Sequence, residues 1–218
     1  MGSRGKKIDF NLYLITDRKQ AHGRELLDVV EDALKGGVKA VQLREKDLSG
    51  RELFELAKDL RAITKKYNAK LFINDRVDIA ITVEADGIHL GQNSFSPEDV
   101  KKILRITHHA HASRFLIGVS THSLQEALNA EKEGADFITF GPVFYTKSKA
   151  RYGEPVGVDK LKEVVKTINI PVFAIGGIKL KNIKEVISTG AHGAAMISEI
   201  IAAEKPKVMV RNLLEEIR

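Results

Sequence analysis

One pattern repeats along this chain and restricts its fold more than any single motif does. A short β-branched run gives way to a polar turn and then to a stretch of apolar period near 3.6, and the cycle runs eight times. Strands are expected at 12–16, 40–43, 71–74, 87–90, 116–120, 137–140, 172–175 and 194–197. Helices are expected at 25–35, 50–67, 77–83, 97–105, 124–133, 158–167, 180–188 and 207–217. Ser49, Ser96 before Pro97, and Ser123 with Glu126 three residues on read as N-caps. Gly36, Gly134 and Gly190 stand where glycines close helices.

Most of the expected strands are continuously apolar, as parallel strands buried on both faces must be. Eight such units in 218 residues point to a single (β/α)8 barrel over residues 1–218, with 1–10 a flexible N-terminal extension. A doubly wound sheet is the runner-up, but it usually opens on a glycine-rich first turn, and Thr16-Asp17-Arg18 is not one.

Composition narrows the function classes. No apolar run approaches the roughly 18–20 residues of a membrane span, and MGSRGKKIDF has no apolar core of a secretory signal, so the cytoplasm is the default compartment. The absence of cysteine excludes disulfides, thiolate nucleophiles and cysteine-bound metals. The net charge of +6 permits nucleic-acid binding, yet the cations are interleaved with 29 acidic residues and there is no tryptophan, so neither a basic stripe nor a stacking platform emerges. The same excess suits an enzyme that handles polyphosphates. His108, His109 and His111 read as an exposed connection rather than a metal site. Homo-oligomerisation is left open.

In a barrel of this kind, chemistry gathers at the C-terminal ends of the strands. Here those ends read Gln42-Leu43-Arg44-Glu45-Lys46, Asn74-Asp75-Arg76, His89-Leu90-Gly91-Gln92, Ser120-Thr121-His122, the loop Gly141-Pro142 through Thr146, Lys147, Ser148, Lys149 and Arg151, then Gly176-Gly177 and Ile197-Ser198-Glu199. Arg44, Lys46 and Lys149 are expected to converge on one mouth. The glycines and the amides near Ile197-Ser198 offer N–H donors to a second anion, beside strands seven and eight. His89, alternating with Ile88 and Leu90, reads as structural.

These motifs resemble the thiamine phosphate synthase and thiazole tautomerase family. The matching pieces are LYLITDR at 12–18, QLREK at 42–46, INDRVDIA at 73–80, ADGIHLGQ at 85–92, IGVSTHS at 117–123, GADFITFGPVF at 134–144, TKSK at 146–149, AIGGI at 174–178 and MISEI at 196–200, in family order over nearly the whole chain. For a synthase the resemblance implies two small-molecule substrates, a pyrimidine diphosphate and a thiazole phosphate, with no nucleic-acid or membrane partner. It implies that Arg44, Lys46, Lys149 and a Mg²⁺ ion meet the departing diphosphate. Gln42 and Asn74, with Ser120 nearby, would orient the pyrimidine. Thr146, Ser148, Gly177, Ile197 and Ser198 would hold the thiazole phosphate.

One departure stands out. The resemblance implies two magnesium carboxylates; Asp75 supplies one, but the other position is Ser94. Glu98 and Asp99 fall inside the helix that Pro97 starts. That difference leans toward the tautomerase branch, which needs neither diphosphate nor metal and would use His122 as acid/base. Retention of Lys46 and Asp75 favours the synthase. A non-catalytic barrel that only binds thiazole phosphate is the third alternative.

Overall fold

The computed structural model describes residues 8–107, 113–146 and 154–217. His108, His109 and His111 lie outside them, as do Lys147, Ser148, Lys149 and Arg151. Eight parallel strands close into a barrel in sequence order: β1 (Leu12–Ile15), β2 (Ala40–Leu43), β3 (Lys70–Asn74), β4 (Gly87–Leu90), β5 (Leu116–Thr121), β6 (Phe137–Phe140), β7 (Val172–Ile175) and β8 (Gly193–Met196). Closure is the pairing of β1 with β8, Leu12 opposite Ala194 and Leu14 opposite Met196. The doubly wound alternative is thereby excluded.

The helices outside are α1 (Leu26–Gly36), α2 (Gly50–Lys66), α3 (Val77–Thr82), α4 (Pro97–Ile106), α5 (Leu124–Glu133), α6 (Gly157–Thr167), α7 (Ile183–Ser188), α8 (Ser198–Ile201) and α9 (Pro206–Ile217). Ser49, Ser96 and Ser123 each cap the helix that follows by accepting from a backbone N–H of its first turn, and Ser49 forms a reciprocal box with Glu52. Gly134 and Gly190 are left-handed past their helices, as expected. Gly36 is not: it is the last helical residue, and Gly37, with φ of 118°, turns the chain. Two short elements went unread, a 3-10 turn at Arg18–Gln20 and the four-residue α8, both too short to show a period.

The apolar residues divide into two cores. One lies between the strands and the helices. The other fills the lumen with Ile8, Phe10, Tyr13, Ile15, Ala40, Phe72, Leu116, Phe137, Phe173 and Ala195. Phe10 stacks on Phe173 at 5.1 Å and meets Phe72 and Phe137 edge-on, each at 5.8 Å between centroids. The expected extension at 1–10 is therefore too long: Ile8 and Phe10 are buried and close the floor of the barrel. An isolated Ile-Asp-Phe before the first strand shows no periodicity, so sequence pattern cannot reveal a plug. With the floor closed by aromatics, the accessible face of the lumen is the opposite end, where every strand points its C-terminus.

Candidate active site

The mouth is assembled from the residues that follow each strand. On β2 the alternation places Gln42 inward and buried, Arg44 half-buried, Glu45 buried and Lys46 exposed. This short turn is braced from β1. The Arg44 amide donates to the buried Thr16 hydroxyl at 2.9 Å. The Glu45 carboxylate accepts from the Arg18 amide at 3.1 and 3.2 Å and from its guanidinium at 3.1 Å. Arg18 is held in turn by Asp47, at 2.6 Å. The hydrogen bonds from Arg18 and then Lys19 keep the Asp47 carboxyl well below the usual carboxylate range. Arg44 and Lys46 thus flank an anchored acid, and their backbone is fixed rather than adaptable. Sequence reading missed this brace; Asp17-Arg18 and Glu45 lie within conspicuous motifs, but nothing in either segment says that they pair.

A line of hydrogen bonds crosses β2, β3 and the turn after β4. Gln42 donates to Asn74 Oδ1 at 3.4 Å, and Asn74 donates to Asp75 Oδ2 at 2.7 Å. Ser94 donates to Asp75 Oδ1, and the Gly91 amide donates to both Ser94 Oγ, at 2.6 Å, and Asp75 Oδ1, at 3.3 Å. Asp75 does not cap the third helix; Arg76 holds that position, and the Asp75 side chain turns to the mouth. Its backbone has φ of 61°, a left-handed conformation that costs an aspartate about 1 kcal/mol. Glu98 and Asp99 sit in the first turn of α4, with Asp99 occupied by Ser96 at 2.7 Å.

Ser120 ends the inward face of β5 and lies 3.0 Å from Nε2 of His89. His89 is buried as expected. Burial, opposed by Asp75 and assisted by Arg44, pushes its imidazole down to about 3, so both charges are felt from the mouth above. His122 stands half-buried one residue beyond the strand, its Nδ1 3.2 Å from Glu126 Oε2, with Gln92 on the other oxygen of that carboxylate at 3.1 Å.

The β6 connection begins as an added rung on β7. Val143 donates to Ile175 at 2.9 Å and Phe144 to Gly176 at 3.0 Å. Its two flanks are tied together by Val156 to Pro142 at 2.8 Å and Gly157 to Val143 at 3.1 Å. Thr146 is described, whereas Ser148 and Lys149 lie outside the described residues. Gly177 takes φ of 68°, and a Cβ there would stand 2.7 Å from Phe144 Cβ and 2.8 Å from the Tyr145 carbonyl. Packing of this loop, together with the left-handed backbone, is what demands glycine at that position. Ile197 precedes α8 and Ser198 begins it.

The structure therefore brings Gln42, Arg44, Asn74, Asp75, Ser94, Ser120, Gly177, Ile197 and Ser198 to one end of the barrel. Among the described residues, no group of three or more His, Asp or Glu side chains is arranged to hold a metal. Asp75 with the Ser94 hydroxyl nevertheless offers hard oxygen donors side by side. That set fits the one-carboxylate mode in which Mg²⁺ keeps its waters and takes further oxygens from phosphate.

Comparison with known proteins agrees with this architecture. Residues 12–200 match the family described as thiamine monophosphate synthase. The chain is 55% identical over 208 residues to a putative thiamine-phosphate synthase of Geobacter sulfurreducens, covering 95% of this chain and 94% of that one. It is 45% identical over 194 residues to the thiamine-phosphate synthase of Clostridium novyi, covering 89% and 92%. A solved structure of thiamine phosphate pyrophosphorylase from Pyrococcus furiosus superposes with a TM-score of 0.85 at 38% identity, over 99% of this chain and 98% of that one.

Proposed function

This chain belongs to the thiamine monophosphate synthase family, and we propose from that membership that it joins a hydroxymethylpyrimidine diphosphate to a thiazole phosphate. The products are thiamine phosphate and diphosphate, and the enzyme is an alkyl-group transferase. The observation that carries this reading is the gathering of Arg44, Asn74, Asp75 and Ser120 around one lumen mouth, with Arg44 and Asp75 both acting on His89 beneath it.

The reaction is a substitution at the pyrimidine methylene carbon. Its C–O bond breaks with the electron pair going to diphosphate, and the thiazole nitrogen lone pair forms the new C–N bond. The nitrogen is already nucleophilic, so no base is required. Negative charge grows on the leaving group, and fixed cations that meet it stabilise the transition state more than the ground state. Arg44, Lys46 and Lys149 take that role. Asp75 and Ser94 would hold Mg²⁺, which when bound supplies further neutralisation of the diphosphate. Gln42, Asn74 and Ser120 orient the pyrimidine ring. Thr146, Ser148, the Gly177 turn and the Ile197-Ser198 amides receive the thiazole phosphate. Among the described residues no helix is long and apolar enough to cross a membrane.

Ser94 favours a second reading, tautomerisation of a thiazole carboxylate phosphate with His122 as acid/base. The curated relatives carry the synthase name. The deciding experiment supplies both synthase substrates with and without Mg²⁺, beside the thiazole carboxylate phosphate alone in D₂O. Thiamine phosphate in the first vessel supports the synthase. Deuterium exchange only in the second, lost in His122→Ala, replaces it with the isomerase.

A further inference from the structure

Beneath Ser120 lies a buried polar chain that the reaction above does not use. His89 projects from β4 into the lumen and is 2% exposed. Its Nε2 lies 3.0 Å from Ser120 Oγ and 3.4 Å from Thr139 Oγ1, and its Nδ1 lies 3.4 Å from the Tyr13 hydroxyl. The four residues come from β1, β4, β5 and β6, so the chain spans the lumen. Gly118 on β5 makes the room: a Cβ there would stand 2.6 Å from His89 Nδ1 and would also strike the Phe137 ring. The ring is further confined by Tyr13 and Phe137, at 5.7 and 5.8 Å between centroids. The imidazole thus has one position, and a glycine is given up to it.

The proton inventory of this chain is restricted. Burial keeps the imidazole neutral and the Tyr13 phenol protonated. A neutral imidazole has one N–H and one acceptor nitrogen. The Tyr13 hydroxyl faces Nδ1, and a phenol is the better donor of the two, which assigns Nδ1 as acceptor and puts the ring hydrogen on Nε2. Nε2–H then donates to Ser120 Oγ. The Thr139 hydroxyl also donates to Ser120 Oγ, at 3.5 Å, so both acceptor positions of that oxygen are taken from within the lumen and its hydrogen is left for the mouth.

We propose that His89, set by Tyr13, is a positioning residue that makes Ser120 a hydrogen-bond donor to an acceptor nitrogen of the bound aminopyrimidine. The inference rests on the pyrimidine site of the synthase reading. It concerns orientation of one substrate, so it moves the KM for that substrate and not the KM for the thiazole phosphate.

The test is a double-mutant cycle with Tyr13→Phe, which preserves volume and fold, against Ser120→Ala. Tyr13→Phe alone is expected to raise the KM for the pyrimidine diphosphate by roughly 3- to 10-fold, the worth of one buried hydrogen bond, with the thiazole phosphate KM unchanged. In the Ser120→Ala background it adds nothing. His89→Gln, whose amide keeps a donor at this place, stays within about 3-fold of wild type, and His89→Leu matches Ser120→Ala. Multiplying effects in the double mutant, or both KM values moving together, overturn the proposal. A second readout needs no turnover: ¹⁵N-histidine spectra of wild type, assigned through His89→Gln, show His89 neutral with Nε2 protonated. A resonance pattern with the hydrogen on Nδ1 overturns the proposal whatever the kinetics. Wild type that makes no thiamine phosphate removes the synthase reading and the pyrimidine acceptor with it, while the tautomer result still reports on the buried chain.

Discussion

Ser94 and Asp75 are hydrogen-bonded across the mouth, the serine hydroxyl donating to the carboxylate oxygen that also accepts from the Gly91 amide. The serine therefore occupies the space beside Asp75 where the family resemblance implies a second acid. Ser94→Asp would set two carboxylates edge to edge and raise the local demand for a cation. We expect the substitution to tighten divalent-metal binding on the order of tenfold. A Mn²⁺ titration followed by electron paramagnetic resonance measures this without turnover. Unchanged binding would mean that the site does not take a metal.

Lys46→Ala and Lys149→Ala are each expected to slow diphosphate release by about 10²–10³-fold, the cost of losing one charge-stabilising contact in a transition state. Rapid-quench measurement of diphosphate, with circular dichroism to confirm the fold, checks this. A variant at wild-type rate takes that lysine out of the leaving-group site.

The Glu45 carboxylate, held by Arg18, fixes the turn that bears Arg44 and Lys46. Glu45→Gln weakens the three contacts from Arg18, and a loss of about 1–3 kcal/mol in stability is expected. The midpoint of urea unfolding should fall with unchanged slope, and activity should fall along with it. Full stability would show that the brace is dispensable.

Phe10→Ala removes the floor of the lumen. The expected cost is about 3–5 kcal/mol, typical of a buried phenylalanine truncated to alanine. Equilibrium unfolding measures it. A change below 1 kcal/mol, the scale of a surface substitution, would return residues 8–10 to the extension.

His89 makes stability depend on pH in a defined direction. Its folded-state value is depressed to about 3, from the ordinary 6.5, so between these values the unfolded chain binds a proton that the native protein refuses. Its contribution is present above pH 6.5 and is lost as pH falls toward 3. Wild type should lose up to about 1.4 kcal/mol more per pH unit than His89→Gln across this window. Parallel stability curves for the two proteins would show that the imidazole is not held neutral.

The barrel was legible in the sequence because parallel buried strands and amphipathic helices leave different periods, and eight alternations admit few closures. The polar strand ends were legible for a related reason: Arg44, Asn74, Asp75 and Ser120 interrupt apolar runs at the same phase of each repeat. What stayed hidden were relationships between repeats. Nothing local to Glu45 names Arg18 as its partner, and nothing local to His89 reveals that Gly118 vacates the space for its ring. Gly36 and Gly37 are adjacent glycines, and only the backbone decides which of them turns left-handed. Phe10, with Ile8 buried in the same lumen core, plugs the barrel through ring contacts with Phe72, Phe137 and Phe173, far along the chain.

The proposed function requires the cationic mouth to release diphosphate as the thiazole nitrogen is alkylated. Phosphorus NMR of the purified protein with both substrates and Mg²⁺ tests it most directly. Free diphosphate and thiamine phosphate are expected to appear together, one of each per pyrimidine diphosphate consumed. Unchanged substrate resonances, or inorganic monophosphate in place of diphosphate, would contradict it.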